Sequence, residues 1–344
     1  MENNTSNTEH YPQSETPQPL TNNMFENRIN LSVIQSSITK IKEELRKIIV
    51  GQDTFIDLLL ASILANGHSL IEGVPGVAKT ITAKLLAKTI NTGYSRIQFT
   101  PDLMPSDVIG TSIFNNKTND FEFIKGPIFS NIILIDEINR APAKTQAALF
   151  EAMAERQITV DGQTYEMAAP FLVFATQNPI EQEGTYRLPE AQLDRFLFKI
   201  NVDYPSVEEE IKIIEQKHKR SNKKETDSIQ SIVSSEEITH YQQIVTQIQI
   251  ETNLIKYIAE IASNTRNNPF LYVGASPRAS LAILSASKAF ALMAGRDFVT
   301  PEDIKKAVYP VMQHRIIITP EREMEGITSE VVLNQIIDSV EIPR

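Results

Sequence analysis

The stretch Ser69-Leu-Ile-Glu-Gly73-Val-Pro-Gly-Val-Ala-Lys79-Thr80-Ile-Thr-Ala-Lys-Leu-Leu-Ala-Lys-Thr-Ile90 decides the reading of this 344-residue chain. It opens on a short apolar run, turns through Gly73 to Ala78, and continues at helical spacing from Lys79. A loop between a strand and a helix N-terminus offers backbone N–H groups and the positive end of the helix dipole to an anion. In such a phosphate-binding loop Lys79 reaches the β- and γ-phosphates, and the Thr80 hydroxyl ligates Mg2+. Gly73, Val74, Pro75, Gly76, Val77, Ala78 and Ile81 complete the candidate nucleotide-binding set around them. Ala78 departs from the general pattern, which has glycine just before the lysine.

Outward from this loop, Ile132-Ile-Leu-Ile-Asp136-Glu137 reads as a buried strand ending in adjacent carboxylates. Successive strand residues point to opposite sides, so one carboxylate can serve magnesium while its neighbour addresses an attacking water. Asp136 is the candidate for magnesium, through water, and Glu137 the candidate for orienting and deprotonating the nucleophile. A third apolar run, Phe171-Leu-Val-Phe-Ala-Thr-Gln-Asn178-Pro179, ends in amides. Asn178 can address the γ-phosphate or the water, and a turn-forming Asn before Pro accounts for it equally well. Arg195 precedes the last strand, and Arg278 stands near the start of a C-terminal helix. A guanidinium near the transferring phosphoryl group stabilises its charge and can come from a neighbouring subunit. Taken alone, Arg195 also fits a surface ion pair, and Arg278 a helix entry.

The alternation of elements extends the pattern. Candidate strands are Ser69–Glu72, Tyr94–Phe99, Ile132–Asp136, Phe171–Thr176 and Phe196–Val202, with helices at Lys79–Ile90 and Ala143–Arg156. Strands alternating with helices predict a parallel five-stranded sheet covered on both faces. Two hairpins interrupt it, one over Thr111–Lys125 turning at Asn119–Asp120, the other over Gln157–Ala168 turning at Asp161–Gly162. Two helical segments, Leu31–Ile49 and Thr54–Asn66, precede the first strand. After Tyr204–Pro205 strands cease; Ser206 and Glu209 form a capping box that opens a helix. Lys217–Ser228 reads as a flexible connection, and helices resume near Ser235, one announced by Thr300-Pro-Glu-Asp303. The expected division is a disordered polar tail over 1–28, an α/β nucleotide-binding core over 29–205, and an all-helical domain over 206–344.

Composition narrows the field. The net charge of −10 disfavours a surface built to coat nucleic acid. Without cysteine there is no disulfide or thiolate chemistry, and His10, His68, His218, His240 and His314 show no metal-ligand spacing. The N-terminus lacks the basic start and apolar core of a signal peptide. No apolar run approaches the roughly 20 residues of a membrane span. The expectation is a cytoplasmic protein.

The chain resembles the AAA+ ATPases, and within them the MoxR family. The order that carries this is Ile49-Val50-Gly51-Gln52, the phosphate loop, Asp136-Glu137, Asn178, Arg195 and Arg278. Finer matches are Glu72-Gly-Val-Pro-Gly-Val-Ala-Lys-Thr80, Asp102-Leu-Met-Pro-Ser-Asp-Val-Ile-Gly110, and Asp136-Glu-Ile-Asn-Arg-Ala-Pro-Ala-Lys-Thr-Gln-Ala-Ala-Leu149. To these add Ala175-Thr-Gln-Asn-Pro-Ile-Glu-Gln-Glu-Gly-Thr-Tyr186 and Gly274-Ala-Ser-Pro-Arg278. Ala78 is usual within this branch. The resemblance implies a P-loop core, two hairpin insertions and a helical lid. It also implies a homo-hexameric ring with ATP and Mg2+ between subunits, and puts Val50 and Gly51 at the nucleotide. Asn178 would be the first sensor, Arg195 the finger reaching into the neighbour's site, and Arg278 a second sensor acting in cis or in trans. Arg140 is a further candidate for an intersubunit contact. The implied role is chaperone-like remodelling, maturation or activation of client proteins, in some cases with a separate von Willebrand factor A domain partner. A nucleic-acid motor and a nucleotide-sensing scaffold are the alternatives. Against the first stand the acidic charge and a single basic run, Lys217–Lys224, which reads as a solvated loop; against the second stand Glu137 and Arg195.

Overall fold

A computed structural model of the chain describes residues 31–178, 186, 188–220 and 225–343. The polar tail, most of the segment between Asn178 and Leu188, and part of the basic run lie outside the described residues.

Two amphipathic helices come first, α1 (Leu31–Arg46) and α2 (Asp53–Leu64). They lead into β1 (His68–Gly73), α3 (Lys79–Thr89), β2 (Tyr94–Gln98) and the short α4 (Pro105–Ile109). The hairpin β3 (Gly110–Asn115) and β4 (Asp120–Lys125) follows, then β5 (Ile132–Asp136) and α5 (Ala143–Glu155). A second hairpin, β6 (Gln157–Val160) and β7 (Gln163–Glu166), precedes β8 (Leu172–Gln177), α6 (Glu190–Leu193) and β9 (Phe196–Val202).

Strands β2, β5, β8, β1 and β9 form one sheet in that order, all parallel. Parallel strands covered on both faces need apolar residues facing both ways. Ile132, Ile133, Leu134 and Ile135 of β5 meet that need, each fully buried. The hairpins carry the predicted turn chemistry. Asp161 and Gly162 have φ of 51° and 78°, the left-handed pair of a two-residue hairpin turn. In the first hairpin the loop is residues 116–119, so Asp120 belongs to β4 rather than to the turn.

Beyond β9 come α7 (Val207–Arg220), α8 (Ser235–Gln247), α9 (Thr252–Arg266), β10 (Leu271–Val273) and α10 (Pro277–Met293). The chain then runs through α11 (Pro301–Met312), β11 (Ile317–Ile318), α12 (Pro320–Met324) and α13 (Ser329–Ser339). The Ser206–Glu209 capping box is present, with Oγ of Ser206 accepting from the Glu209 N–H and the Glu209 carboxylate accepting from the Ser206 N–H. Two readings are corrected. Helix α7 continues through Lys217–Arg220, where a connection is predicted, because one polar turn of a solvated helix resembles a loop in composition. The C-terminal region is also not purely helical: β10 and β11 pair antiparallel. The first helices pack on the last ones, with the Asp57 carboxylate of α2 between Lys42 of α1 (2.7 Å) and Lys306 of α11 (3.5 Å).

Candidate active site

A parallel sheet puts all its strand C-termini along one edge, where the loops that follow them converge. Along that edge lies a cleft of about 360 Å³. The phosphate loop after β1 supplies Pro75, Gly76, Ala78, Lys79, Thr80 and Ile81. The end of β5 supplies Asp136 and Glu137, the end of β8 Thr176 and Asn178, and β2 Arg96 and Gln98.

The loop backbone explains its sequence. Gly76 has φ of 91°, and Ala78, immediately before α3, has φ of 62° and ψ of 15°. That left-handed conformation is why glycine is the general residue at this position, and Ala78 adopts it at a cost of about 1–2 kcal/mol. Gly73 is needed for a different reason: a Cβ there would lie 2.6 Å from the carbonyl oxygen of Val202.

The charged groups of the cleft are cross-paired. Lys79 donates through Nζ to the carbonyl of Gly73. Burial pulls its ammonium below the usual lysine value, and the carboxylates of Asp136, Glu72 and Glu137 oppose that shift. Asp136 accepts from Arg96 Nε at 2.6 Å through one oxygen and from the Thr176 hydroxyl at 3.3 Å through the other. The same Thr176 hydroxyl accepts the Glu137 backbone N–H at 3.1 Å. Glu137 also has left-handed backbone, φ 58°, and its carboxylate is 2.8 Å from Arg140. Thr176 thus fixes both members of the carboxylate pair from the neighbouring strand. Beside them, burial and the charge of Asp136 push the Tyr94 hydroxyl up to about 12.

The Thr80 hydroxyl and the Asp136 carboxylate are oxygen donors on the same cleft, the ligand type that suits Mg2+. Among the described residues no group of three or more His, Asp or Glu could hold a metal by itself. A cation here would draw its other ligands from phosphate and water, as magnesium does in phosphoryl-transfer sites.

Not every predicted residue meets at the cleft. Val50 and Gly51 lie apart from its lining, beside the start of α7, where a Cβ on Gly51 would strike the Glu209 carboxyl at 2.1 Å. Arg195 donates to the carbonyl of Phe150 at 2.9 Å and does not line the cleft. Arg278 is two-thirds exposed and lies 3.7 Å from Asp194. Conversely, Arg96, Gln98 and Thr176 line the cleft although the sequence reading omitted them. For the first two the signal was available: they flank buried Ile97 and share one face of β2.

Comparison with known proteins shows the family. The sequence model of the ATPase family associated with various cellular activities (AAA) matches residues 68–198, and that of the AAA lid domain matches residues 263–336. The chain is 43% identical over 310 residues to Chaperone MoxR1 of Mycobacterium tuberculosis, covering 88% of this chain and 81% of that one. The chain belongs to the MoxR-family AAA+ ATPases. A second relative of this MoxR-family ATPase is the uncharacterized protein YeaC of Bacillus subtilis, 46% identical over 304 residues, 88% of this chain and 94% of that one. The crystal structure of a candidate ATPase from Cytophaga hutchinsonii superposes with a TM-score of 0.85 at 42% identity, covering 92% of this chain and 97% of that one. The MoxR-family match covers both the strand-bearing region with the cleft and the C-terminal region with β10 and β11. No helix among the described residues is long and apolar enough to cross a membrane.

Proposed function

We propose that the chain hydrolyses Mg2+-bound ATP in this cleft as part of a homo-hexameric ring, and uses the cycle to remodel client proteins in the cytoplasm. The observation that carries the ring is the position of Arg195. It directly precedes β9, whose first residue Phe196 pairs with His68 at the start of β1. The phosphate loop follows the far end of β1, at Gly73. At ~3.3 Å per strand residue the two ends are about 16 Å apart, so Arg195 stands at the opposite end of the strands from its own phosphate loop. A cation held there acts on a nucleotide only if that nucleotide belongs to a neighbouring subunit.

Within the cleft, the N–H groups of Gly76–Thr80 and the Lys79 ammonium bind the phosphates. Thr80 and Asp136 hold magnesium, which when bound neutralises charge on the β- and γ-phosphate oxygens. Glu137 orients the attacking water and accepts its proton. Asn178 donates to the γ-phosphate or to that water. Arg195 of the adjacent subunit stabilises the charge spread over the transferring group. Arg278 is the second sensor. Val50 and Gly51, which stand apart from the phosphate-binding lining, contact the nucleotide outside it.

The core of residues 29–205 and the lid of residues 206–344 are the two parts whose relative movement transmits the cycle. The end of the sheet at Val202 supports that division. The name of the Mycobacterium relative supports a chaperone role, in which a separate von Willebrand factor A domain protein is one partner class. The test is Glu137→Gln: ATP binds with near-normal affinity and is not turned over, and the loaded protein captures its client in a pulldown. Rapid hydrolysis by this variant would move the base elsewhere.

A further inference from the structure

We propose that Arg96 reads the terminal phosphate of the nucleotide: its guanidinium, paired with Asp136 in this structure, turns to the γ-phosphate when a triphosphate binds, so that the chain separates ATP from ADP. This rests on the cleft being the nucleotide site.

Three observations lead here. Arg96 is the only arginine among the described residues that line the cleft, and it shares that lining with Lys79 and Thr80. Its side chain is 53% exposed while its partner Asp136 is 9% exposed. The arginine is therefore the solvent-facing member of the pair and the carboxylate the enclosed one. Asp136 also does not depend on Arg96 for its position, because the Thr176 hydroxyl holds its second oxygen. A half-exposed ion pair of this kind contributes at most about 1 kcal/mol to stability, so structure alone gives little reason for a guanidinium here.

Exchange of partners gives a reason. When the Asp136 carboxylate turns to a bound cation, it no longer neutralises Arg96. The guanidinium is then a forked donor facing a cleft of phosphate oxygens, the geometry arginine matches bidentately. Both charges stay compensated before and after, which avoids a buried unpaired ion. A diphosphate presents no γ-phosphate oxygens, so the exchange is completed only with ATP. Lys79 makes this distinction less sharply, since it also reaches the β-phosphate, which both nucleotides carry.

The experiment is equilibrium binding of fluorescent ADP and of a fluorescent non-hydrolysable ATP analogue, both with Mg2+, to the full chain and to its Arg96→Ala and Arg96→Lys variants. Thermal melting confirms that each is folded, and Arg96→Gln replaces Arg96→Ala should the latter not fold. The expected result is an affinity loss of about 10-fold or more for the ATP analogue in Arg96→Ala, with ADP changed less than about 2-fold. Arg96→Lys, which keeps the charge but not the fork, falls between. Equal losses for both nucleotides would show that Arg96 only shapes the site, and unchanged binding of both that it is a surface ion pair; either overturns the proposal. Failure of the unsubstituted chain to bind either nucleotide would instead refute the cleft as the nucleotide site.

Discussion

The Asp194 carboxylate and the Arg315 guanidinium meet at 2.7 Å, and the Arg315 side chain is only 4% exposed. Arg315 also donates to the carbonyls of Asp194, Phe196, Leu197 and Val311. The segment carrying Arg195 is thus fastened to a residue 121 positions later, between α11 and β11. Burial pulls the Arg315 guanidinium below the usual arginine value, and Asp194 opposes it.

Removing one partner of a buried pair leaves the other uncompensated. Arg315→Ala is expected to lose about 3–5 kcal/mol of stability in urea denaturation. Arg278→Ala, exposed and 3.7 Å from the same carboxylate, is expected to change it by less than about 1 kcal/mol. Equal effects would mean that the bonds of Arg315 do not anchor the segment.

Ala78 tests the backbone of the phosphate loop. Its left-handed φ of 62° strains an alanine and not a glycine. Ala78→Gly therefore gains the relief of that strain and loses part of it to the entropy of a freer unfolded chain. The expected net is a stabilisation of about 0.5–1 kcal/mol with ATP affinity retained. A clear loss of stability would show that the methyl group packs usefully.

The buried His68 makes stability depend on pH. Its Nδ1 accepts the Val173 N–H at 3.0 Å, which leaves Nε2–H to donate to the Met153 carbonyl at 3.2 Å, so the folded ring is neutral. Burial lowers its pKa to about 4, with the nearby Arg156 adding to the shift. Between pH 6.5 and about 4 the unfolded chain binds a proton that the folded chain does not, so stability is full above pH 6.5 and falls as pH drops. Burial pushes His314 in the same direction. His68→Gln is expected to flatten the stability–pH curve by up to about 1.4 kcal/mol per pH unit in that window. Parallel curves for the two proteins would contradict a neutral buried His68.

Much of this was legible from local pattern, because the strands of a buried parallel sheet are continuous apolar runs. The run of β5, Ile132 to Asp136, needs no context to be read. The caps at Ser206 and Thr300 and the Asp161-Gly162 turn are equally local. The reading failed where pairing is remote or the signal short. Leu271–Val273 and Ile317–Ile318 are too brief for a strand period and find each other across a long stretch of helix. Nothing near Asp194 announces Arg315. Nothing near Arg96 names its partner either: the β2–β5 pairing sets it opposite Leu134, two residues before Asp136.

The central claim is that each site is completed by the neighbouring subunit, and mixing two inactive variants tests it most directly. Arg195→Ala keeps the phosphate loop and Glu137 but lacks the finger; it is expected to bind ATP and turn it over about 10³-fold or more slowly. Glu137→Gln keeps the finger and lacks the base. Rings assembled from both should recover part of the ATPase activity wherever a Glu137→Gln subunit presents Arg195 to an Arg195→Ala site. The recovery should rise with protein concentration and with time allowed for subunit exchange. No recovery in rings demonstrated to contain both variants would contradict the account and return Arg195 to a role within its own chain.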